Sequence, residues 1–362
     1  MKGVSSPRVG TRVLNAQTAD MEVEGAFILL FVVATAVAIV ARRLHLPYTV
    51  ALVLAGLLIG ALNLFPPPHL TKNLLFSVFL PGLIFEAAFR IKAREFRDNW
   101  MTLLSLAVPG VIVSTALITL LLTPVIASLG AAPDFTWKHA LVFGALISAT
   151  DPIAVVAIFH HLGAFRRLTV LLEGESLLND GTAIVFFSLS LALFSEVPAN
   201  ASQLTLQFVS TVGIGALLGA VIGIVVSSVM RRVDDPMLEI TLTTIAAYGS
   251  FVTAELLHTS GVIAAVAAGM LCGNYGVCAR VSASTRISSE AFWEYAAFAL
   301  NSIVFLLIGL EVRLNMLREY WLAILVAYLI VTLGRGVVAA LGCSLLRLTR
   351  ERFPWNWSIV LT

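Results

Sequence analysis

Apolar runs long enough to cross a bilayer, about 20 residues each, recur along the whole of this 362-residue chain. They fall at roughly 25–41, 48–65, 74–89, 101–129, 139–159, 170–193, 206–230, 238–257, 260–278, 291–312 and 319–346. A twelfth begins near Trp355 and is cut off at Thr362. Short polar joints separate the runs. The pattern predicts an all-α polytopic membrane protein with one transmembrane domain, 25–362, behind an N-terminal tail, 1–24. The first twenty residues of the tail lack the apolar stretch of a signal peptide and read as disordered. Met21, followed closely by Glu22 and Glu24, is a second candidate start.

The runs also repeat. Span eight lies on span one, span ten on span three and span eleven on span four at an offset of about 213–218 residues, with span seven as linker. Inverted repeats of this kind build many transporters. By the same offset, the partner of the region around Asp151 would fall near residues 364–369, and a full second half would run to about residue 410. The expectation is a chain truncated before the last two helices.

Composition agrees with the membrane reading: 59% of residues are hydrophobic and 12% charged, against about 25% charged in soluble domains. The net charge of +2 says little, but its placement says more. Alternate loops carry Arg42 and Arg43; Arg90, Lys92, Arg94 and Arg97; Arg166 and Arg167; Arg231 and Arg232; Arg280 and Arg286; Arg347, Arg350 and Arg352. The intervening loops carry Lys72, Lys138, Arg313 and Arg318. The positive-inside rule then puts the N-terminus outside and the loop around Arg350 in the cytoplasm, although Lys2, Arg8 and Arg12 of the tail oppose it. The cysteines Cys272, Cys278 and Cys343 all fall in spans and suggest small core residues, with neither a disulfide framework nor a metal motif. No cofactor is expected.

Two motifs carry the chemistry. In the fifth span Thr150-Asp151-Pro152 sets a carboxylate beside a proline. Pro152 removes a backbone donor, clashes with the carbonyl four residues earlier and pushes Asp151 out of helical geometry. The expected product is a helix broken at mid-membrane, exposing carbonyls and half-helix ends that coordinate ions; the simpler reading is a proline kink. In the sixth span Ser176 and Asp180 share a face, and Glu175 and Asn179 form a neighbouring i,i+4 pair. All four fit within an arc of about 140°. Glu173 lies at the cytoplasmic start of this span and reads as solvated. An intramembrane carboxylate is costly and is a functional-site hypothesis by default. Arg335, flanked by Gly334 and Gly336 in the eleventh span, is the basic residue of mid-membrane and needs a partner, which makes Glu175 its structural counter-ion. That leaves Asp180 and Asp151 to bind. A buried carboxylate holds a proton or a small cation but not both well, and this competition is itself a mechanism of exchange. With Asn179 neutral, one charge replaces one charge, so the cycle should be electroneutral.

Thr150-Asp151-Pro152 followed by Glu-Gly-Glu-Ser-Leu-Leu-Asn-Asp-Gly-Thr over 173–182 resembles the sodium/proton antiporters of the NhaP/NHE kind, whose Asn-Asp pair separates them from electrogenic relatives with Asp-Asp. Phe79-Leu80-Pro81-Gly82-Leu83-Ile84-Phe85-Glu86 resembles the family's third-helix motif. The resemblance covers roughly 25–362 and implies a thirteen-helix fold in which a core domain moves as an elevator against a dimerisation domain. It implies a core from 74–193 and 291–362 and a scaffold from 25–65 and 206–278. It implies Na+ held by Asp180, Asp151, Ser176 and Thr150, with Asn179 alongside and Glu86 reached through water, and a Glu175–Arg335 pair. It implies a homodimer in the plasma membrane. The family's twelfth helix crosses the broken fifth one, and without that partner the half-helix ends near Asp151 lack compensation.

Alternatives remain. A potassium/proton antiporter fits the same residues, and the truncation leaves room for an inactive remnant or structural subunit. A channel would need a filter-like loop, and an intramembrane enzyme a metal-ligand helix motif or nucleophile elbow; the sequence offers neither. His160 and His161, beside Arg166 and Arg167, could sense pH or be solvated loop residues. No nucleic-acid partner is indicated.

Overall fold

A computed structural model describes residues 28–44, 46–62, 71, 74–130, 132, 134–149, 166–194, 201–233, 235–278 and 283–348. The N-terminal tail, Thr150, Asp151, Pro152, His160, His161 and the run near Trp355 lie outside the described residues.

Among the described residues all regular structure is helical. Helix α1 (28–44) and α2 (Tyr48–Ala61) are followed by a π-helical turn, Leu75–Phe79, that runs into α3 (Leu80–Arg90). Then come α4 (Ala93–Leu129), α5 (Trp137–Ile147), α6 (Arg166–Ala192), α7 (Ala201–Met230), α8 (Pro236–Leu256), α9 (Gly261–Cys278), α10 (Ala283–Glu311), a short turn of helix at Leu314–Glu319, and α11 (Trp321–Leu348). Each of the eleven complete apolar runs thus contains a helix. Among the described residues five helices are long and apolar enough to cross a membrane: Ala93–Leu129, Thr205–Met230, Pro236–Leu256, Arg286–Glu311 and Trp321–Leu341. Helix α6 is long but falls short in hydropathy, because Glu175, Asn179 and Asp180 interrupt its apolar stretch. The chain is an integral membrane protein.

Local chemistry sets several ends. Asp235 caps α8 by accepting from the amides of Met237 (2.8 Å) and Leu238 (3.1 Å), with Pro236 at the first helical position. Thr136 and His139 form a reciprocal cap on α5. Helix α4 ends at Gly130, whose φ of 62° closes the last turn in the left-handed region. At 37 residues α4 is about 55 Å long, so its charged start, with Arg94, Glu95, Arg97 and Asp98, extends the helix beyond its apolar part.

The chain divides into two compact units, Met1–Leu75 with Phe298–Leu314, and Phe76–Ala297 with Asn315–Thr362. In the first, α2 lies backbone to backbone on the second half of α10. A Cβ on Gly56 would strike the Leu306 carbonyl, and one on Gly309 the Val53 carbonyl. Tyr48 stacks on Phe298 with ring centres 5.2 Å apart and hydrogen-bonds Ser302.

In the second unit, α9 is gripped by α7, α3 and α8. Gly219 of α7 sits against the Ala264 carbonyl, and Gly269 and Gly273 of α9 sit against the Phe85 and Phe89 carbonyls of α3. Small residues are what allow such approach in lipid, where packing rather than hydrophobicity drives association. Ile84, Ala88, Phe251, Val262 and Val266 fill one side of this group. Phe85, Met230, Ala247 and Trp293 fill the other, with Trp293 Nε1 donating to Thr243 Oγ1 at 3.1 Å. A second group joins α4, α5, α6 and α11. Span three packs chiefly on span nine, with spans eight and six beside it; the glycines of α9 give α3 its close seat. Gly273→Leu is expected to lower stability by about 3 kcal/mol, since no side chain can yield where backbone faces backbone. Thermal unfolding in detergent measures this.

Candidate functional site

Helix α5 stops at Ile147, short of Asp151. The Ser148 amide bonds the Gly144 carbonyl (3.1 Å). Two side chains from other helices donate to the carbonyls that follow. Asn179 Nδ2 of α6 donates to the Ser148 carbonyl at 3.0 Å, and Arg335 Nη2 of α11 to the Ala149 carbonyl at 3.4 Å. The end of α5 is thus held by an amide and a guanidinium immediately before Thr150.

Asn179 is 3% exposed and also donates to Glu175 Oε1, one turn earlier on α6, at 3.2 Å. Glu175 therefore keeps Asn179 aimed at α5. Glu175 and Arg335 act on each other electrostatically across the same junction. Asp180 follows Asn179 and is half-buried; Ser176, buried at 6% exposure, lies one turn below it. Gly181 lets this part of α6 close on α9, where an added Cβ would meet Ile263 Cδ1 at 2.5 Å and Val262 Cγ1 at 3.6 Å. Thr182 returns its hydroxyl to the Leu178 carbonyl at 2.8 Å.

Glu86 belongs to a different cluster. It lies on α3, 9% exposed, paired with Arg90, which also reaches Glu294 of α10 at 3.7 Å. The charges of Glu294 and Glu173 both bear on Glu86. Beside it opens a cavity of about 770 Å³, lined among others by Arg90, Lys92, Arg94, Asn274, Arg286 and Glu294. Asn274 shapes the α3–α4 turn by donating to the Ile91 carbonyl (2.7 Å) and accepting from the Ala93 amide (2.6 Å). Sequence reasoning missed Asn274, although a lone amide in the apolar run 260–278 was a signal. It also missed the carbonyls of Ser148 and Ala149, for which no side chain gives a signal.

An amide and a guanidinium hold the carbonyl oxygens at the α5 end, and the carboxylates of Glu175 and Asp180 and the hydroxyl of Ser176 stand on the adjoining turns of α6. Hard oxygen ligands of this kind suit small hydrated cations and protons, not soft metals. Among the described residues no three His, Cys, Asp or Glu side chains converge as a metal site.

A family model described as "Sodium/hydrogen exchanger, transmembrane" matches residues 28–362. The chain is 36% identical over 319 residues to the Na(+)/H(+) antiporter ApNhaP of Aphanothece halophytica, covering 88% of this chain and 60% of that protein. It is 37% identical over 307 residues to the low-affinity Na(+)/H(+) antiporter NhaS1 of Synechocystis, covering 83% and 56%. The chain thus spans roughly three-fifths of the length of these relatives. Its fold is similar to that of the sodium proton antiporter MjNhaP1 from Methanocaldococcus jannaschii, with a TM-score of 0.75 and 22% identity over 95% of this chain and 82% of that one.

Proposed function

The chain belongs to the sodium/hydrogen exchanger family, and from that premise we propose that it exchanges Na+ or Li+ for H+ across the membrane. The observation that carries this reading is Asn179, which ties the Ser148 carbonyl at the end of α5 to the turn of α6 that bears Asp180. A cation held there would meet carbonyl and hydroxyl oxygens from one helix and a carboxylate from another. In this reading Asp180 is the group for which cation and proton compete, with Asp151, Ser176 and Thr150 as co-ligands and Glu86 reached through water. Asn179 adds no charge, so the cycle exchanges one cation for one proton and is electroneutral. Glu175 and Arg335 hold the site's shape and do not turn over protons. Movement of a core domain against a dimerisation domain, as an elevator, exposes the site alternately, within a homodimer in the plasma membrane whose N-terminus faces outside.

The test uses the purified protein in sealed vesicles with an acid interior, clamped membrane voltage and a reporter of internal pH. Adding Na+ outside is expected to alkalinise the interior. Raising the external pH should lower the apparent KM for Na+, because fewer protons then compete for the carboxylate. K+ acting better than Na+ would move the assignment to a potassium/proton antiporter. A current that follows voltage without cation-coupled proton movement would sink the exchange reading altogether.

A further inference from the structure

The packing of α4 against α5 and α11 changes character along its length. Towards one end Ile118, Leu122, Ile126, Ala140 and Ile330 close an apolar cluster. One turn further along α4, two hydroxyls enter the same seam: Ser114, 5% exposed, and Thr115, 1% exposed. Neither Ser114 Oγ nor Thr115 Oγ1 has a hydrogen-bond partner among the described residues, and the same holds for the buried Arg335 Nε. The register of α4 against α11 sets residue 114 about level with residue 335. Helices α4 and α11 run antiparallel through two close approaches. A Cβ on Gly110 would lie 3.6 Å from Val338 Cγ1, and one on Gly334 would lie 3.7 Å from Ile118 Cγ1. Those approaches bracket Ser114 on one helix and Arg335 on the other. Thr115 stands one step round α4, where a Cβ on Gly144 of α5 would lie 3.1 Å from the Thr115 carbonyl oxygen.

Buried polar groups nearly always have a partner, and one left without it costs its full desolvation. A cluster of three in one polar seam, at the edge of an apolar one, matches what a buried water takes, which is about three hydrogen bonds. We propose that Ser114, Thr115 and Arg335 hold an ordered water between α4, α5 and α11. The inference rests on the exchange reading for its consequence: Arg335 also caps the Ala149 carbonyl, so the water would fix the guanidinium that fixes the end of α5. The two hydroxyls are then positioning residues, acting on cation affinity through Arg335 without touching the cation.

The test compares wild-type protein with Ser114→Ala/Thr115→Val and with Thr115→Ser, reading thermal midpoint and the kinetics of Na+-driven proton movement. With the water present, the double variant unfolds at lower temperature. Its apparent KM for Na+ rises about five- to tenfold while kcat changes by less than about twofold. Thr115→Ser, which keeps the hydroxyl, behaves as wild type. Were the hydroxyls simply buried without a partner, the apolar isosteres would relieve them, the midpoint would rise and KM would stay put; that result overturns the proposal. If the double variant does not survive purification, Thr115→Val set against Thr115→Ser gives the same two signs. Wild-type protein that moves no protons in response to any cation would count against the exchange reading instead, and the midpoint alone would then decide on the water.

Discussion

Asp180→Asn is expected to abolish cation-driven proton movement while leaving the protein folded. The substitution keeps the shape of the side chain and removes the charge for which cation and proton are proposed to compete. Losing a partner of a metal ligand already costs about 10–100-fold, so losing the proposed ligand itself should exceed about 100-fold. Measured in the vesicle assay, the variant should show no Na+-dependent alkalinisation at any external pH. It should also elute as wild type, because Asn179 and Gly181, which join α6 to α5 and α9, are unchanged. Retention of more than a tenth or so of wild-type exchange would remove Asp180 from its proposed role.

Arg335→Ala should be the most destabilising single change at the site. It removes the donor to the Ala149 carbonyl and, on the proposed pairing, leaves the Glu175 charge without its guanidinium. Breaking a buried pair from one side costs about 3–5 kcal/mol. Thermal unfolding should show a clear fall in midpoint, with a matching loss of yield. The combination Glu175→Gln/Arg335→Ala should recover part of that loss, since the stranded charge goes with its partner. A double-mutant cycle gives the coupling directly. If Arg335→Ala and the double variant unfold together, the two residues are not a structural pair.

Much of this molecule is written in its apolar blocks. A run of some twenty apolar residues in lipid has few alternatives to a helix, so all eleven runs contain one. Their ends are less legible. Helix α4 starts at Ala93 and not at 101, because charged residues continue a helix where it leaves the hydrocarbon. Within the run 139–159 the described helix stops at Ile147, because the period of apolar residues says nothing about where backbone bonding stops. At the site, Glu175, Asn179, Asp180 and Arg335 stand out in the sequence since charge and amide are rare in such blocks. Their reach is another matter. Asn179 can bond the Ser148 carbonyl only because α5 ends where it does, and a carbonyl looks the same in every residue. Ser114 and Thr115 are invisible for the opposite reason: hydroxyl residues are common in membrane helices and usually bond their own preceding turn, as Thr119 and Thr123 do here. Glu86 enters through the resemblance as a group reached through water, and its direct contact, Arg90, lies one turn along the same helix.

The seat of α9 carries a last consequence, for how such a chain can change over time. Gly269 and Gly273 meet α3 only because they lie one turn apart on one face, with Gly219 of α7 closing in from another side. Adding or deleting one residue between them would swing one of the two away from its seat by about 100°. Variation in this helix should therefore preserve its length, while insertions collect in the joints on either side.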